Sequence, residues 1–213
     1  MKIIKFVTPA DIADALPAVV AHLREGKLIA YPTETVYGFG SLVREDALDA
    51  LAALKSRDVA KPFLLLVREA ADVPQLQWTE SARKLAKAFW PGALTLALAV
   101  EGDFAPRIIS ESGTLAVRAT PHEGIRALLE SLREPLTSTS VNTPGDVPAS
   151  SGREAARVVD VLGGEDILIL DGGELAPSAP STLLDCSAEP PRLLRAGAIT
   201  VETLTQVAEI THG

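Results

Sequence analysis

Apolar positions recur along this chain with two periods, and the period switches repeatedly between about two and about 3.6 residues. Lys2–Phe6 reads as a short strand. Thr8-Pro9-Ala10-Asp11 then supplies an N-cap, a proline at the first helical position and an acid at the third, which predicts a helix to about Arg24. Lys27–Tyr31 is an aliphatic strand ending at Pro32. Leu48, Leu51, Ala52 and Leu54 place Asp46–Lys55 on a helix, and Phe63–Val67 reads as a buried strand. Thr79–Phe89 is an amphipathic helix stopped by Pro91-Gly92. Strands Leu94–Val100 and Thr114–Ala119, a helix over Pro121–Leu132 and an extended Leu136–Ser140 follow. Ser151-Gly-Arg-Glu154 reads as a capping box opening a helix to about Leu162. Short strands at Asp166–Leu170, Ser181–Asp185 and Arg192–Leu194 precede a closing helix over Thr200–Ile210.

Strands and helices interleaved in this way predict an α/β fold, a twisted, mixed open sheet with flanking helices. The two stretches rich in Gly, Pro, Ser and Ala, Thr143–Ser151 and Gly172–Pro180, have strand- or helix-like segments on either side. They read as loops at the mouth of a site rather than domain boundaries, so residues 1–213 are expected to form one domain. No internal repeat is visible.

Composition sharpens this picture at a few points. Hydrophobic residues make up 47% of the chain but aromatics only 4%, so the core must be built from Ala, Leu, Val and Ile. A formal charge of −8 argues against a general nucleic-acid coat or a membrane-surface protein, while leaving room for a local basic cleft. Cys186 is the single cysteine, so no intrachain disulfide is available, and a small packing role is expected for it. His22, His122 and His212 have no ligand-like spacing, and no metal site is expected from protein side chains. The N-terminus lacks a signal-peptide pattern, and no apolar run reaches the ~18 residues a membrane helix requires. A cytoplasmic protein is the expectation.

Candidate chemistry concentrates in a few patches. Lys55, Arg57 and Lys61 bring three cations into seven residues. Helical spacing would send Lys55 and Arg57 to opposite faces, so a shared ligand requires the helix to end near Lys55. Lys61-Pro62 is consistent with a turn there. The patch is either a clamp on phosphates or a basic helix end favourable to the helix dipole. Ser140 and Asn142 would share one face of an extended segment and offer a hydroxyl and an amide, or else belong to an Asn142-Thr-Pro-Gly145 turn. Arg118 sits in the small, apolar run Leu115–Ala119 and needs an anionic partner or a strand-end position. Its simplest functional use is a substrate carboxylate. Arg195-Ala-Gly197 is ambiguous in the same way. There is no phosphate-binding loop of the Gly-x-x-x-x-Gly-Lys-Ser/Thr type and no Gly-x-Ser-x-Gly elbow. Catalysis, if present, would work by positioning and electrostatics.

Seven stretches, in order, carry a resemblance: Tyr31-Pro-Thr-Glu-Thr-Val-Tyr-Gly-Phe-Gly40, Lys55-Ser-Arg57 with Lys61-Pro62, Trp90-Pro-Gly-Ala-Leu-Thr-Leu96, Val117-Arg118, Ser140-Val-Asn142, Ser181-Thr182 and Leu194-Arg-Ala-Gly197. Between about Lys27 and Ile199 the chain resembles the YrdC-like family, the threonylcarbamoyl-AMP synthases, in its short single-domain form. The resemblance implies the YrdC-like fold and a nucleotidyltransferase. The product would be L-threonylcarbamoyladenylate, made with pyrophosphate from L-threonine, bicarbonate and ATP. Mg2+ would be bound through the phosphates. It further implies that Lys55, Arg57, Lys61, Ser140, Asn142 and Arg195 bind ATP, with Lys55 and Arg57 catalytic, and that Thr33, Arg118 and Ser181 bind threonine. The implied partner is a downstream tRNA threonylcarbamoyl-transferase complex, with weak RNA binding by the protein itself and no membrane.

The chain departs from the family pattern in three places. Phe63-Leu-Leu-Leu-Val67 has no histidine near Leu66, Asn142 is followed by Thr-Pro-Gly, and Pro148 stands where a serine is common. The alternatives are a sister enzyme on the same fold, carbamoyl-adenylate-forming or YciO-like, and an RNA-binding module without catalysis.

Overall fold

The computed structural model describes residues 2–56, 61–164 and 166–212. Eleven strands form one mixed sheet: β1 (Lys2–Lys5), β2 (Ile29–Tyr31), β3 (Gly38–Gly40), β4 (Leu64–Val67), β5 (Leu94–Ala99), β6 (Thr114–Ala119), β7 (Leu136–Ser140), β8 (Leu168–Asp171), β9 (Thr182–Asp185), β10 (Arg192–Arg195) and β11 (Thr211–His212). Their spatial order is β1-β8-β2-β3-β7-β4-β6-β5-β9-β10-β11. Helices α1 (Pro9–Arg24), α2 (Glu45–Leu54), α3 (Glu80–Phe89), α4 (Glu123–Leu132), α5 (Gly152–Val161) and α6 (Val201–Thr205) flank it. None of the described helices is long and apolar enough to cross a membrane.

The helices fall on the two faces according to their apolar stripes. Ile12, Ala15, Val19 and Leu23 of α1, spaced three to four apart, pack with Ile125, Leu128, Leu129 and Leu132 of α4 over Ile29, Tyr31, Leu66, Leu136 and Leu168. The other face carries Leu48 and Leu51 of α2, Leu85 of α3 and Val159 of α5 against Ala30, Leu65, Leu96, Val117 and Ile169. Helix α1 starts as expected: Asp11 N donates to Thr8 Oγ1 at 3.2 Å and Thr8 N to Asp11 Oδ2 at 2.8 Å, a reciprocal box. Cys186 is fully buried in the core, its thiol pushed up to about 12 by burial.

Three local expectations are corrected, and one strand is unanticipated. Gly38–Gly40 is that strand, because two glycines let the antiparallel β2–β3–β7 ladder close over the buried ring of Tyr31. The expected helix over Thr200–Ile210 stops at Thr205, and Thr211–His212 instead pairs with β10. Helix α4 begins at Glu123 with His122 as its N-cap, not at Pro121. The α5 box is half made: Glu154 N donates to Ser151 Oγ at 3.2 Å, but the Glu154 carboxylate accepts from Ser150 instead of Ser151.

One connection crosses most of the sheet. Strand β8 is second in the spatial order and β9 ninth, seven strand spacings apart, yet only residues 172–181 join them. Hydrogen bonds along its length hold this strap, among them Tyr37 Oη to Gly173 O at 2.8 Å, Leu175 N to Ser150 O at 2.7 Å, and Ala198 N to Pro180 O at 2.9 Å.

Gly40 tests the β3 packing. A Cβ there would lie 2.5 Å from Thr137 O and 2.7 Å from Tyr31 Cε1, both closer than contact allows. Gly40→Ala is expected to lower unfolding stability by about 1–3 kcal/mol through overpacking, read as a lower urea midpoint. An unchanged midpoint would remove the reason given for the glycine.

Candidate active site

The helices α1 and α4 cover only part of their face of the sheet. Strands β5, β6 and β9, with the ends of β4 and β7, extend beyond them. There the strands alternate bulky residues facing the core with small or polar ones on the bare side. In β6, Leu115 and Val117 are core, while Thr114, Ala116 and Arg118 face outward; in β5, Leu94, Leu96 and Leu98 are core, while Thr95 and Ala97 face outward. Small side chains on an uncovered face leave a hollow. It has a volume of about 430 Å³, with Ser138 and Leu183 completing its floor and Leu64 and Ser140 in its walls. The remaining walls are the Thr33–Val36 turn, Lys61-Pro62, Ser110, Pro148 and Pro180-Ser181, with Leu194-Arg195 from the end of β10.

Arg118 is the charge in the floor, only 5% exposed. Its Nη2 donates to Glu34 Oε1 and, at 3.3 Å, to Thr35 Oγ1. Thr120 Oγ1 donates to Glu34 Oε2 at 2.6 Å, so the carboxylate is held on both oxygens. The buried Arg118 Nε has no hydrogen-bond partner among the described residues. Opposite, Arg195 donates through Nε and Nη2 to Ser181 O at 3.2 and 2.9 Å, and through Nη2 to Ser181 Oγ at 3.1 Å. Ser181 Oγ in turn lies 2.8 Å from Thr95 Oγ1. Burial, and secondarily the charge of Arg118, push Arg195 below its usual pKa. Two guanidiniums thus line one cavity, one of them with an unpartnered N–H among the described residues.

The other expected residues divide by what they touch. Lys61, Ser140, Thr33 and Ser181 line the cavity. Thr33 presents less than its hydroxyl, which accepts from Thr35 N and Val36 N at 3.2 Å and donates to Val36 O at 2.7 Å. Lys55 and Asn142 stand behind the wall residue Ser140 and fix its loop. Lys55 Nζ donates to Ser140 O at 3.0 Å, to Asn142 O, and to Asn142 Oδ1 at 2.9 Å, while Ser140 Oγ donates to that same Oδ1 at 2.6 Å. Asn142 Nδ2 turns into its own loop, to Thr143 O and Asp146 O. Helix α2 ends at Leu54 and Ser56 takes a left-handed φ of 45°, which supplies the turn that a joint use of Lys55 and Arg57 requires. Arg57 itself lies outside the described residues. Leu66 is fully buried under α4, and its neighbour Leu64 is the wall residue.

Glu34, Thr35, Thr95, Ser110, Thr114 and Ser138 belong to the site and were not singled out from the sequence. The bulky–small alternation of β5 and β6 is the signal that would have found part of this set.

The Sua5_yciO_yrdC family model, described as telomere recombination, matches residues 21–197. The chain belongs to that family. It is 36% identical over 189 residues to the threonylcarbamoyl-AMP synthase of Pyrococcus abyssi (strain GE5 / Orsay), covering 87% of this chain and 54% of that protein. It is 38% identical over 181 residues to the threonylcarbamoyl-AMP synthase of Chromohalobacter salexigens, covering 82% and 94%. The solved structure of P. abyssi Sua5 complexed with L-threonine superposes with a TM-score of 0.87 at 31% identity, over 99% of this chain and 62% of that one. The chain thus spans about half the length of the P. abyssi relative. The family fold explains the strand order, and the expected mixed open sheet is the one found.

The network continues past Thr120 to His122, whose N–H donates to Thr120 Oγ1 at 3.2 Å and whose Nδ1 accepts from Ile125 N at 3.4 Å. Accepting requires an unprotonated Nδ1, and burial lowers the His122 pKa, with the Glu34 charge opposing. A folded pKa below the unfolded value gives stability that is full above about 6.5 and is lost as the pH falls. His122→Asn keeps an N-cap acceptor without a titrating group. Urea unfolding at pH 7.5 and 5.5 should show the wild type losing more stability than the variant over that interval. Equal losses would show that His122 does not titrate in this way.

Proposed function

We propose that this protein is a threonylcarbamoyl-AMP synthase, converting L-threonine, bicarbonate and ATP to L-threonylcarbamoyladenylate, pyrophosphate and water. The observation that carries the proposal is the pair Arg118 and Arg195 across one small cavity, in a family whose relatives include proteins of that name. An amino acid and a nucleotide bring two anions, a carboxylate and a phosphate chain, and the cavity has one guanidinium for each.

In this reading Arg118 holds the threonine carboxylate through its unpartnered Nε–H, and Ser181 and the Thr33 turn bound the rest of the amino acid. The free amine takes up carbon from bicarbonate with loss of water, giving a carbamate. A carbamate oxygen then attacks the α-phosphorus of ATP, and the bond to the β-phosphate oxygen breaks as pyrophosphate departs. Arg195 and Lys61 supply positive charge from the cavity wall, with Arg57 assigned to the same task by its place in the family motif. Lys55 holds the Ser140–Asn142 loop in register, so that Ser140 faces the nucleotide. Positioning and fixed charge are sufficient chemistry for phosphoryl and nucleotidyl transfer. Among the described residues no three His, Cys, Asp or Glu side chains gather to hold a metal ion, so Mg2+ would arrive on the phosphates of ATP. The adenylate would pass to a transferase complex acting on tRNA.

The test is pyrophosphate release with ATP, Mg2+ and bicarbonate, with and without L-threonine. Release that requires L-threonine is expected. Release that ignores it would move the chain to a sister activity, and no release would favour a binding role. Lys55→Ala is expected to lower turnover by about 10²-fold, because the Ser140–Asn142 loop loses the cation that positions it. Near-wild-type turnover in that variant would remove Lys55 from the machinery.

A further inference from the structure

We propose that Glu34 is the positioning residue for Arg118, and through it sets the affinity for the amino-acid substrate; this rests on the synthase reading above. Three observations carry it. Glu34 is the carboxylate that faces Arg118, with side chains 22% and 6% exposed respectively. It is gripped on both oxygens, by Arg118 Nη2 and by Thr120 Oγ1, which leaves it one orientation. Its neighbours Thr33 and Thr35 line the cavity, whereas Glu34 is absent from the lining among the described residues. Glu34 therefore meets the site through Arg118 rather than through the lining itself.

The consequence for Arg118 is specific. Glu34 and Thr35 together engage one guanidinium nitrogen, Nη2, and the buried Nε–H stays without a protein partner. A guanidinium is a rigid planar fork, so fixing one nitrogen fixes the direction of the others. Glu34 also offsets one of two neighbouring positive charges. Without it, Arg118 would lose its carboxylate partner while the charge of Arg195 remained nearby, and its guanidinium would no longer be held in place.

Orientation and charge push the substrate's carboxylate in opposite directions, which makes the assignment testable. Removing a nearby negative charge alone should strengthen binding of a carboxylate. Removing the hydrogen-bonded support should weaken it. Glu34→Gln loses the charge but keeps the support: its carbonyl oxygen accepts from Arg118, and its amide donates to Thr120 Oγ1, which can reverse its role. Glu34→Ala loses both. Thr120→Val removes one of the two grips on Glu34 and leaves the charge.

The measurement is steady-state pyrophosphate release for wild type and the three variants, with KM for L-threonine and for ATP determined separately and thermal midpoints recorded. Glu34→Ala should raise KM for L-threonine by about tenfold or more with kcat within about threefold, the signature of lost binding that is uniform between ground and transition states. KM for ATP should stay at the wild-type value. Glu34→Gln should have KM for L-threonine at or below wild type, and Thr120→Val should fall between the wild type and Glu34→Ala. If Glu34→Ala and Glu34→Gln both lower KM for L-threonine, Glu34 acts only as a repelling charge and the proposal is wrong. Parallel changes in both KM values, in kcat and in thermal midpoint would make the role purely structural and also overturn it. The Gln and Val variants decide the matter should Glu34→Ala not fold. Wild-type release that is independent of L-threonine would overturn the synthase reading and this assignment together.

Discussion

A guanidinium buried in the middle of a β-sheet is costly unless something nearby repays its lost hydration. Arg118 occupies such a place, and much of the surrounding structure is arranged to satisfy it. The turn after β2 delivers Glu34 and Thr35, and the end of β6 delivers Thr120. Helix α4 begins two residues further on, with the His122 backbone tied to the same threonine hydroxyl. The turn after β2 and the β6–α4 junction, far apart in sequence, are thus fastened at one ion pair. The Arg118 Nε–H remains without a partner among the described residues.

The same logic accounts for the shape of the site. An α/β sheet ordinarily buries both faces under helices, and here the helices α1 and α4 stop short. What prevents the uncovered strands from becoming a sticky apolar surface is their composition: Thr95, Ala97, Thr114, Ala116, Ser138 and Ser140 are small or polar, and the loops that ring them close the hollow to a cleft. The opposite face of these strands, with Leu94, Leu96, Leu98, Leu115 and Val117, carries the packing energy. One face stabilises and the other is free for recognition.

How much of this could be read from the sequence follows from where the forces act. The periodic elements were legible because burial writes itself into spacing: β6 falls at Thr114–Ala119 as expected, and the α1 cap is local chemistry within four residues. Strand β3 was hidden because Gly38 and Gly40 look like a turn, and what makes them a strand is the Tyr31 ring packed on them. The C-terminal segment was misread because a helical pattern of apolar residues was overridden by pairing with β10, a contact across the fold. In the site, the cations were conspicuous but Glu34 was not. A glutamate between two threonines in a turn has nothing unusual about it until an arginine 84 residues later arrives beside it. Thr33 illustrates the converse: its position at the cavity was expected, but the turn absorbs its hydroxyl.

The strap between β8 and β9 has an implication for how this scaffold can vary. Seven strand spacings laid flat measure about 34 Å, and the eleven peptide steps from Asp171 to Thr182 reach at most about 36–40 Å. Curling of the sheet supplies whatever slack there is. Most surface loops accept length changes in either direction at small entropic cost, but this one behaves as a tether with a minimum length. Additional residues would merely bow outward. Each residue removed would leave fewer peptide steps to join β8 and β9. Variation in this loop should therefore be asymmetric, generous to insertions and intolerant of deletions.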